Sequence, residues 1–187
     1  MKIFLIFTFF LISGPVGCFD VIGYTGGTVS IYFYHQQYGQ NGTYFFYRNL
    51  SLQDSGSYQC GETGGWSHDV ELKVKRDPCC SGPSAVTGFL GESLTINCSY
   101  PEEFKTDTKY LYKQDGDYIT KVITTTESQR NRFSISEDRS FKVISVRISD
   151  VREDDGGVYY CGMWNESDSV HYYSLFSEIQ LQVNGLF

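Results

Sequence analysis

Alanine is almost missing from this sequence: Ala85 is the only one in 187 residues. Alanine is the best helix former, so its scarcity beside 19 Gly, 15 Tyr and 14 Phe argues against a helix bundle and for aromatic-rich strands joined by glycine turns. Basic residues are also few. With 15 Lys and Arg against 22 Asp and Glu, the formal charge is -7, and no basic stripe is available to follow a phosphate backbone. Nucleic acid is therefore not expected as a partner. His35, His68 and His171 stand far apart and outside any H-E-x-x-H pattern, and the only adjacent cysteines, Cys79 and Cys80, do not form a C-x-x-C pair. No G-x-S-x-G elbow, P-loop or G-x-G-x-x-G is present. The acidic clusters Glu102-Glu103 and Glu153-Asp154-Asp155 fall in turn signals, where carboxylates are solvated. The sequence thus gives no catalytic residues, no metal site and no cofactor.

The long apolar run that does occur, Ile3 to Ile12, is too short to span a bilayer. With Lys2 before it and Ser13, Gly14, Pro15 and Gly17 after it, residues 1–17 read as a secretory signal. Its removal would take the charge to -8 and leave Cys18 near the new terminus. No second apolar span follows, so a membrane would be met only through a segment not present in this chain. The expected location is the secretory pathway, then the extracellular side of the plasma membrane if such a segment exists and secretion otherwise. In that oxidising route disulfides are the default state of cysteine. Among four N-x-[ST] triplets, Asn41, Asn49 and Asn165 are the expected glycan acceptors, with Asn165 placed in a polar loop. Asn97 lies inside a strand beside Cys98, and its use depends on which way it faces.

An internal repeat divides the chain. Asp54-Ser55-Gly56-Ser57-Tyr58-Gln59-Cys60 matches Asp155-Gly156-Gly157-Val158-Tyr159-Tyr160-Cys161 at an offset of 101, both obeying D-x-G-x-Y-x-C. Upstream, the stretch from Gly26 to Phe33 matches that from Gly91 to Cys98 at an offset of only 65, so the first half lacks 36 residues between these landmarks. The expected organisation is an incomplete domain over 18–76, a linker rich in charge, Pro and Gly over 77–83, a complete domain over 84–184 and a tail at 185–187. In the second half Leu94, Ile96 and Cys98 alternate on one strand and Ile144, Val146 and Ile148 on another, while Tyr159 and Cys161 share a face. A bond between Cys98 and Cys161 would staple two sheets across a core, and Tyr159, with Tyr58 as its counterpart, fits a tyrosine corner. The pattern is an all-β immunoglobulin variable-type sandwich, one complete and one truncated. Arg132, ahead of Phe133, is placed to bridge Asp155 at the lower end of such a domain.

Three segments carry a family likeness: Asn97-Cys98-Ser99-Tyr100-Pro101, Lys109-Tyr110-Leu111-Tyr112-Lys113 and Asp154-Asp155-Gly156-Gly157-Val158-Tyr159-Tyr160-Cys161-Gly162. They resemble the variable-type domains of polymeric-immunoglobulin-receptor-like proteins and leukocyte mono-Ig-like receptors. The resemblance implies an immune receptor ectodomain whose ligands are immunoglobulin or membrane lipid head groups. Leu111-Tyr112 stands where the family often carries Trp-Cys, so a second local disulfide is not expected there. Phe33 replaces the first cysteine of the first half and leaves Cys60 without its usual partner. Three readings of that half stay open: Tyr44-Phe45-Phe46-Tyr47 patches the gap, the half is poorly folded, or the coding sequence skips a segment.

Ligand contacts in such a sandwich concentrate in loops at one end, here 99–107 and 163–174. Met163, His171, Tyr172 and Tyr173 are the expected contact residues, being large side chains of types favoured in binding sites. The opposing reading is that aromatics flanking the hairpin pack over its base, Trp164 first among them. Recognition of a protein or lipid ligand, with signalling through a membrane part outside this chain, is one expected function. A secreted decoy or adhesion protein without signalling is the other.

Overall fold

A computed structural model describes residues 19–33, 43–61, 67–80, 82–166 and 170–185. The expected signal segment, Cys18 and Asn41 lie outside the described residues. Within them, β-branched and aromatic residues alternate with polar ones and form strands; the only helical pieces among the described residues are three short 3-10 turns. In chain order the strands are β1 (Phe19–Tyr24), β2 (Thr28–Phe33), β3 (Thr43–Tyr47), β4 (Gly56–Gly61), β5 (Ser67–Lys75), β6 (Ser84–Phe89) and β7 (Leu94–Ser99). They continue as β8 (Tyr110–Asp115), β9 (Tyr118–Thr124), β10 (Gln129–Arg130), β11 (Phe133–Asp138), β12 (Val143–Ile148), β13 (Gly157–Glu166) and β14 (Val170–Asn184).

The second half is a two-sheet sandwich. One sheet has the order β10-β11-β12-β7; the other runs β14-β13-β8-β9, with β6 parallel to the far part of β14. Ile96 and Cys98 of β7, Ile144, Val146 and Ile148 of β12, Leu111 of β8 and Phe176, Ile179 and Leu181 of β14 meet in one buried cluster. Each such aliphatic side chain removed from water contributes about 1.5–3 kcal/mol before entropy is counted. Cys98 and Cys161 are bonded across this core, 63 positions apart in sequence, and Leu111 is fully buried in the same cluster. Cys79 and Cys80 are bonded to each other in the segment between the halves.

The two copies of D-x-G-x-Y-x-C adopt the same local geometry. Tyr159 Oη donates to the Asp155 carbonyl at 2.6 Å, and Tyr58 Oη donates to the Asp54 carbonyl at 2.6 Å. Gly56 (φ 157°) and Gly157 (φ 131°) take a backbone region that side chains disfavour, which is why the motif holds glycine there. Asp155 also receives a two-pronged bond from Arg132, Nη1 to Oδ2 and Nη2 to Oδ1, each 2.7 Å, while the Arg152 N–H reaches Oδ2 at 2.8 Å. Burial pushes the Asp155 carboxyl upward, but Arg132 and the Arg152 amide outweigh it and hold it below the ordinary carboxylate value. A depressed carboxylate contributes stability above its unfolded pKa and loses it as pH falls through the folded one. Arg132→Met is therefore expected to lower the melting temperature at neutral pH, with the deficit narrowing as pH drops below about 4. A melting series across pH checks this; a deficit constant with pH would assign the loss to packing.

The first half builds a second, smaller core. β1, β5 and β4 form a three-stranded sheet, β1 parallel and β4 antiparallel to β5. The facing layer is β2 and β3, and β2 pairs antiparallel with the start of β14, Ile31 opposite Tyr172. Val21, Val29, Ile31, Leu50, Val70, Leu72 and Val74 bury together with Tyr172. One strand of the second half thus closes the side of the first half's core that its own sequence leaves open. β3 holds the Tyr44-Phe45-Phe46-Tyr47 segment, placed against β2.

Candidate functional site

The loop end of the second half is not the open aromatic surface that its sequence suggests. Met163, His171, Tyr172 and Tyr173 retain 7, 8, 2 and 9% of their surface, so the expectation that they face a ligand is corrected: in this structure they pack. The cause is β2. Its six residues pair with Val170 to Leu175, and successive β14 side chains then enter opposite faces. Tyr172 points into the first half's core with Phe19 edge-on to its ring at 5.8 Å. Tyr173 turns to the other face beside Tyr112 and Trp164, with ring centroids 5.1 and 4.5 Å away. Trp164 also stacks on His171 at 5.1 Å, which agrees with its reading as a packing residue. Asn165 belongs to β13 rather than to a loop; it is half-buried, and its Nδ2 donates to Tyr172 Oη at 3.1 Å. The signal was there to read: Tyr172-Tyr173-Ser174-Leu175-Phe176 offers no charged position, as befits a strand covered on both faces.

Further contacts join the halves. Tyr24 Oη donates to Glu103 Oε1, and Lys75 Nζ lies 2.5 Å from Glu103 Oε2. The Tyr24 ring meets Phe104 edge-on at 5.7 Å, and Arg48 Nη2 donates to Gln114 Oε1 at 3.0 Å. The contacts of Tyr24 and Lys75 lie on the Glu103 and Phe104 side of loop 99–107. The remainder stays open: Glu102, Lys105, Thr106 and Asp107 are exposed, and the turn between β11 and β12 stands beside them. That turn is tied to the loop by the Tyr100 N–H bonding to the Lys142 carbonyl at 2.9 Å and by Lys142 Nζ lying 3.3 Å from Glu102. At its apex Phe141 is 76% exposed, the most exposed of the large apolar side chains described. Arg139 and Lys142 flank it, and Lys105 lies across the loop, paired to the same Glu102 at 3.5 Å.

A buried ionic group underlies this ridge, and the sequence did not mark it as a site. Lys109 is fully buried; its Nζ reaches Glu137 Oε1 at 2.6 Å and the Lys105 carbonyl at 3.1 Å, and sits 4.2 Å over the Tyr100 ring. Tyr100 Oη donates to the same Glu137 oxygen at 2.9 Å, and Arg139 Nε approaches the other at 3.3 Å. Burial raises the Glu137 carboxyl, but the bonds from Lys109, Tyr100 and Arg139 prevail and lower it. Burial of Tyr100 and its bond to Glu137 push the phenol up to about 12, so it stays protonated and donating. The group fixes loop 99–107 and β11 to one another by fully used polar atoms. Among the described residues no cluster of His, Cys, Asp or Glu could hold a metal ion.

Two sheets pinned by a buried Cys98–Cys161 bond, a tyrosine corner beneath and a loop ridge above define a variable-type immunoglobulin sandwich, a frame built to present a surface. The chain belongs to the immunoglobulin V-set domain family, which matches residues 81–184. It is 35% identical to the polymeric immunoglobulin receptor of Bos taurus over 127 residues, 66% of this chain and 17% of that protein. It is 33% identical to the polymeric immunoglobulin receptor of Homo sapiens over 167 residues, 82% of this chain and 22% of that protein. CMRF35-like molecule 6 of Mus musculus is 33% identical over 84 residues, 43% of this chain and 37% of that protein. The chain spans about a fifth of the length of the polymeric immunoglobulin receptors it matches. No helix among the described residues is long and apolar enough to cross a membrane.

Proposed function

We propose that this chain is a non-catalytic, ligand-recognising ectodomain of an immune receptor, with signalling carried by a membrane part outside it. The contact surface is the ridge formed by loop 99–107 and the turn at 139–142. The observation that supports this is Phe141, left 76% exposed at the apex of a hairpin held rigid from below. A large exposed aromatic on a rigid support is the type of residue that dominates binding energy. The names of the relatives make polymeric immunoglobulin the first ligand to test. A second reading, anionic lipid head groups, is favoured by Lys105, Arg139 and Lys142 on the same ridge, partly offset by their pairing with Glu102 and Glu137. A secreted decoy would use the same ridge without signalling.

The secreted full chain is immobilised and offered polymeric immunoglobulin, vesicles of phosphatidylserine with phosphatidylcholine, and vesicles of phosphatidylcholine alone. Phe141→Ala is expected to weaken binding at least about tenfold, equivalent to about 1.4 kcal/mol. Its melting temperature should hold, because truncating an exposed side chain changes stability by less than about 0.5 kcal/mol. Immunoglobulin binding lost with Phe141 supports the first reading, and binding to the anionic vesicles alone the second. An unsubstituted chain that binds none of the three, or an affinity indifferent to Phe141, refutes the assignment of this ridge.

A further inference from the structure

We propose that Asn97 is an N-glycosylation site and that its glycan covers the open edge of β7. Asn97-Cys98-Ser99 has the hydroxyl residue two positions on that glycan transfer requires. Whether the side chain can carry a sugar in the folded chain is decided by Cys98. Along a strand, neighbours point to opposite faces, so a cysteine committed to the core throws both adjacent residues outward. Cys98 and Ile96 are buried, while Thr95, Asn97 and Ser99 are exposed. Asn97 Oδ1 accepts from Ser145 Oγ on β12 at 2.7 Å, which orients the amide across the face of the sheet. Among the described residues no hydrogen bond engages Nδ2, the atom to which a sugar is joined.

The place of β7 in the fold is a second, independent observation. It is the last strand of the sheet β10-β11-β12-β7, so among the described residues one side of its backbone has no neighbouring strand. Proteins commonly protect such an edge by charge, by proline or by a cover, since it can otherwise pair with another chain. Leu94-Thr95-Ile96-Asn97-Cys98-Ser99 contains neither charge nor proline. A glycan on Asn97, midway along it, would stand on the outer face beside that edge and obstruct an approaching chain. The neighbouring exposed surface, Thr95, Ser99, Ser136 and Arg147, is largely uncharged and polar, which suits a resting sugar chain. Asn165 is the contrasting case. Its Nδ2 is occupied by Tyr172 at the contact between the halves, so a sugar there would oppose folding, whereas one on Asn97 would not.

Nδ2 attacks the anomeric carbon of an oligosaccharide carried on a lipid diphosphate, the bond from that carbon to the diphosphate oxygen breaks with its electron pair leaving on the lipid diphosphate, and the proton lost from the amide passes to a base of the transferring enzyme. This does not depend on the ligand proposed above.

The full chain is secreted from eukaryotic cells, its N-glycans are released enzymatically in heavy-oxygen water, and the tryptic peptide spanning residues 77–105 is analysed by mass spectrometry. Heavy-labelled aspartate at position 97 in most secreted molecules is the expected result. Asn97→Gln and Ser99→Ala should each remove one glycan step from the gel mobility. If a variant is not secreted, the peptide from the unsubstituted chain decides alone. Position 97 unlabelled, in a sample where a co-expressed reference glycoprotein is labelled, overturns the proposal.

Discussion

Lys109→Met is expected to cost the second half about 3–5 kcal/mol, the range for removing one partner of a buried ion pair. Whole domains are stable by about 5–15 kcal/mol, so the loss is a large fraction of the total and should appear as a marked fall in melting temperature. The loss comes from Glu137, a carboxylate left with Tyr100 and a longer contact to Arg139 in a site from which water is largely excluded. Two further measurements separate this cause from lost packing. Lys109→Met with Glu137→Gln should recover more than half of the loss, because Gln can still accept the Tyr100 hydroxyl while no charge remains buried. The sign of the pH effect is also fixed. In the native chain the depressed Glu137 carboxyl stabilises above its ordinary range, and that contribution fades on acidification; in Lys109→Met the protonated acid needs no cation. The gap between the two should therefore shrink toward low pH in urea titrations. A double variant no better than the single one would show that the lysine stem, not its charge, supports the loop.

Cys161→Ala is expected to cost about 4 kcal/mol, because the Cys98–Cys161 bond closes a loop over 63 positions and restricts the unfolded chain. Among the described residues the other disulfide is Cys79–Cys80, whose adjacent residues enclose no loop and so add no comparable constraint. Since the constraint is lost with either sulfur, Cys98→Ala with Cys161→Ala should be scarcely less stable than each single variant. Chemical unfolding of the three, alongside the reduced native chain, measures this. A loss below about 1 kcal/mol would mean that packing alone maintains the sandwich. Peptide mapping under non-reducing conditions that paired Cys98 elsewhere would remove the basis of the expectation.

Much of the second half was legible in the sequence because the relevant information is local. The period-two alternation of Ile144, Val146 and Ile148 determined one core-facing strand, and the scarcity of alanine determined the class. D-x-G-x-Y-x-C, repeated at an offset of 101, carried the tyrosine bonds and the glycine backbone within a few residues, so both copies took the same shape although the first half lacks 36 residues between the shared landmarks. The family likeness of the second half rested on such short motifs and stands over residues 81–184.

What the sequence could not determine is which strands meet. Ile31 and Tyr172 lie 141 positions apart, and no local pattern records that β14 is long enough to serve two cores. Once β2 seats there, Tyr172 and Tyr173 pass from candidate contacts to packing, and the proposed contact surface moves to Phe141, an exposed aromatic that the motifs did not mark. Lys109 was visible only as part of a likeness; its role needed Glu137 from another strand to be brought within 2.6 Å. Asn97 divides between the two kinds of information. Its triplet and its alternation with Cys98 are written in the chain, but only tertiary structure made β7 an edge, because sheet order is set by nonlocal backbone pairing that side-chain periodicity does not encode.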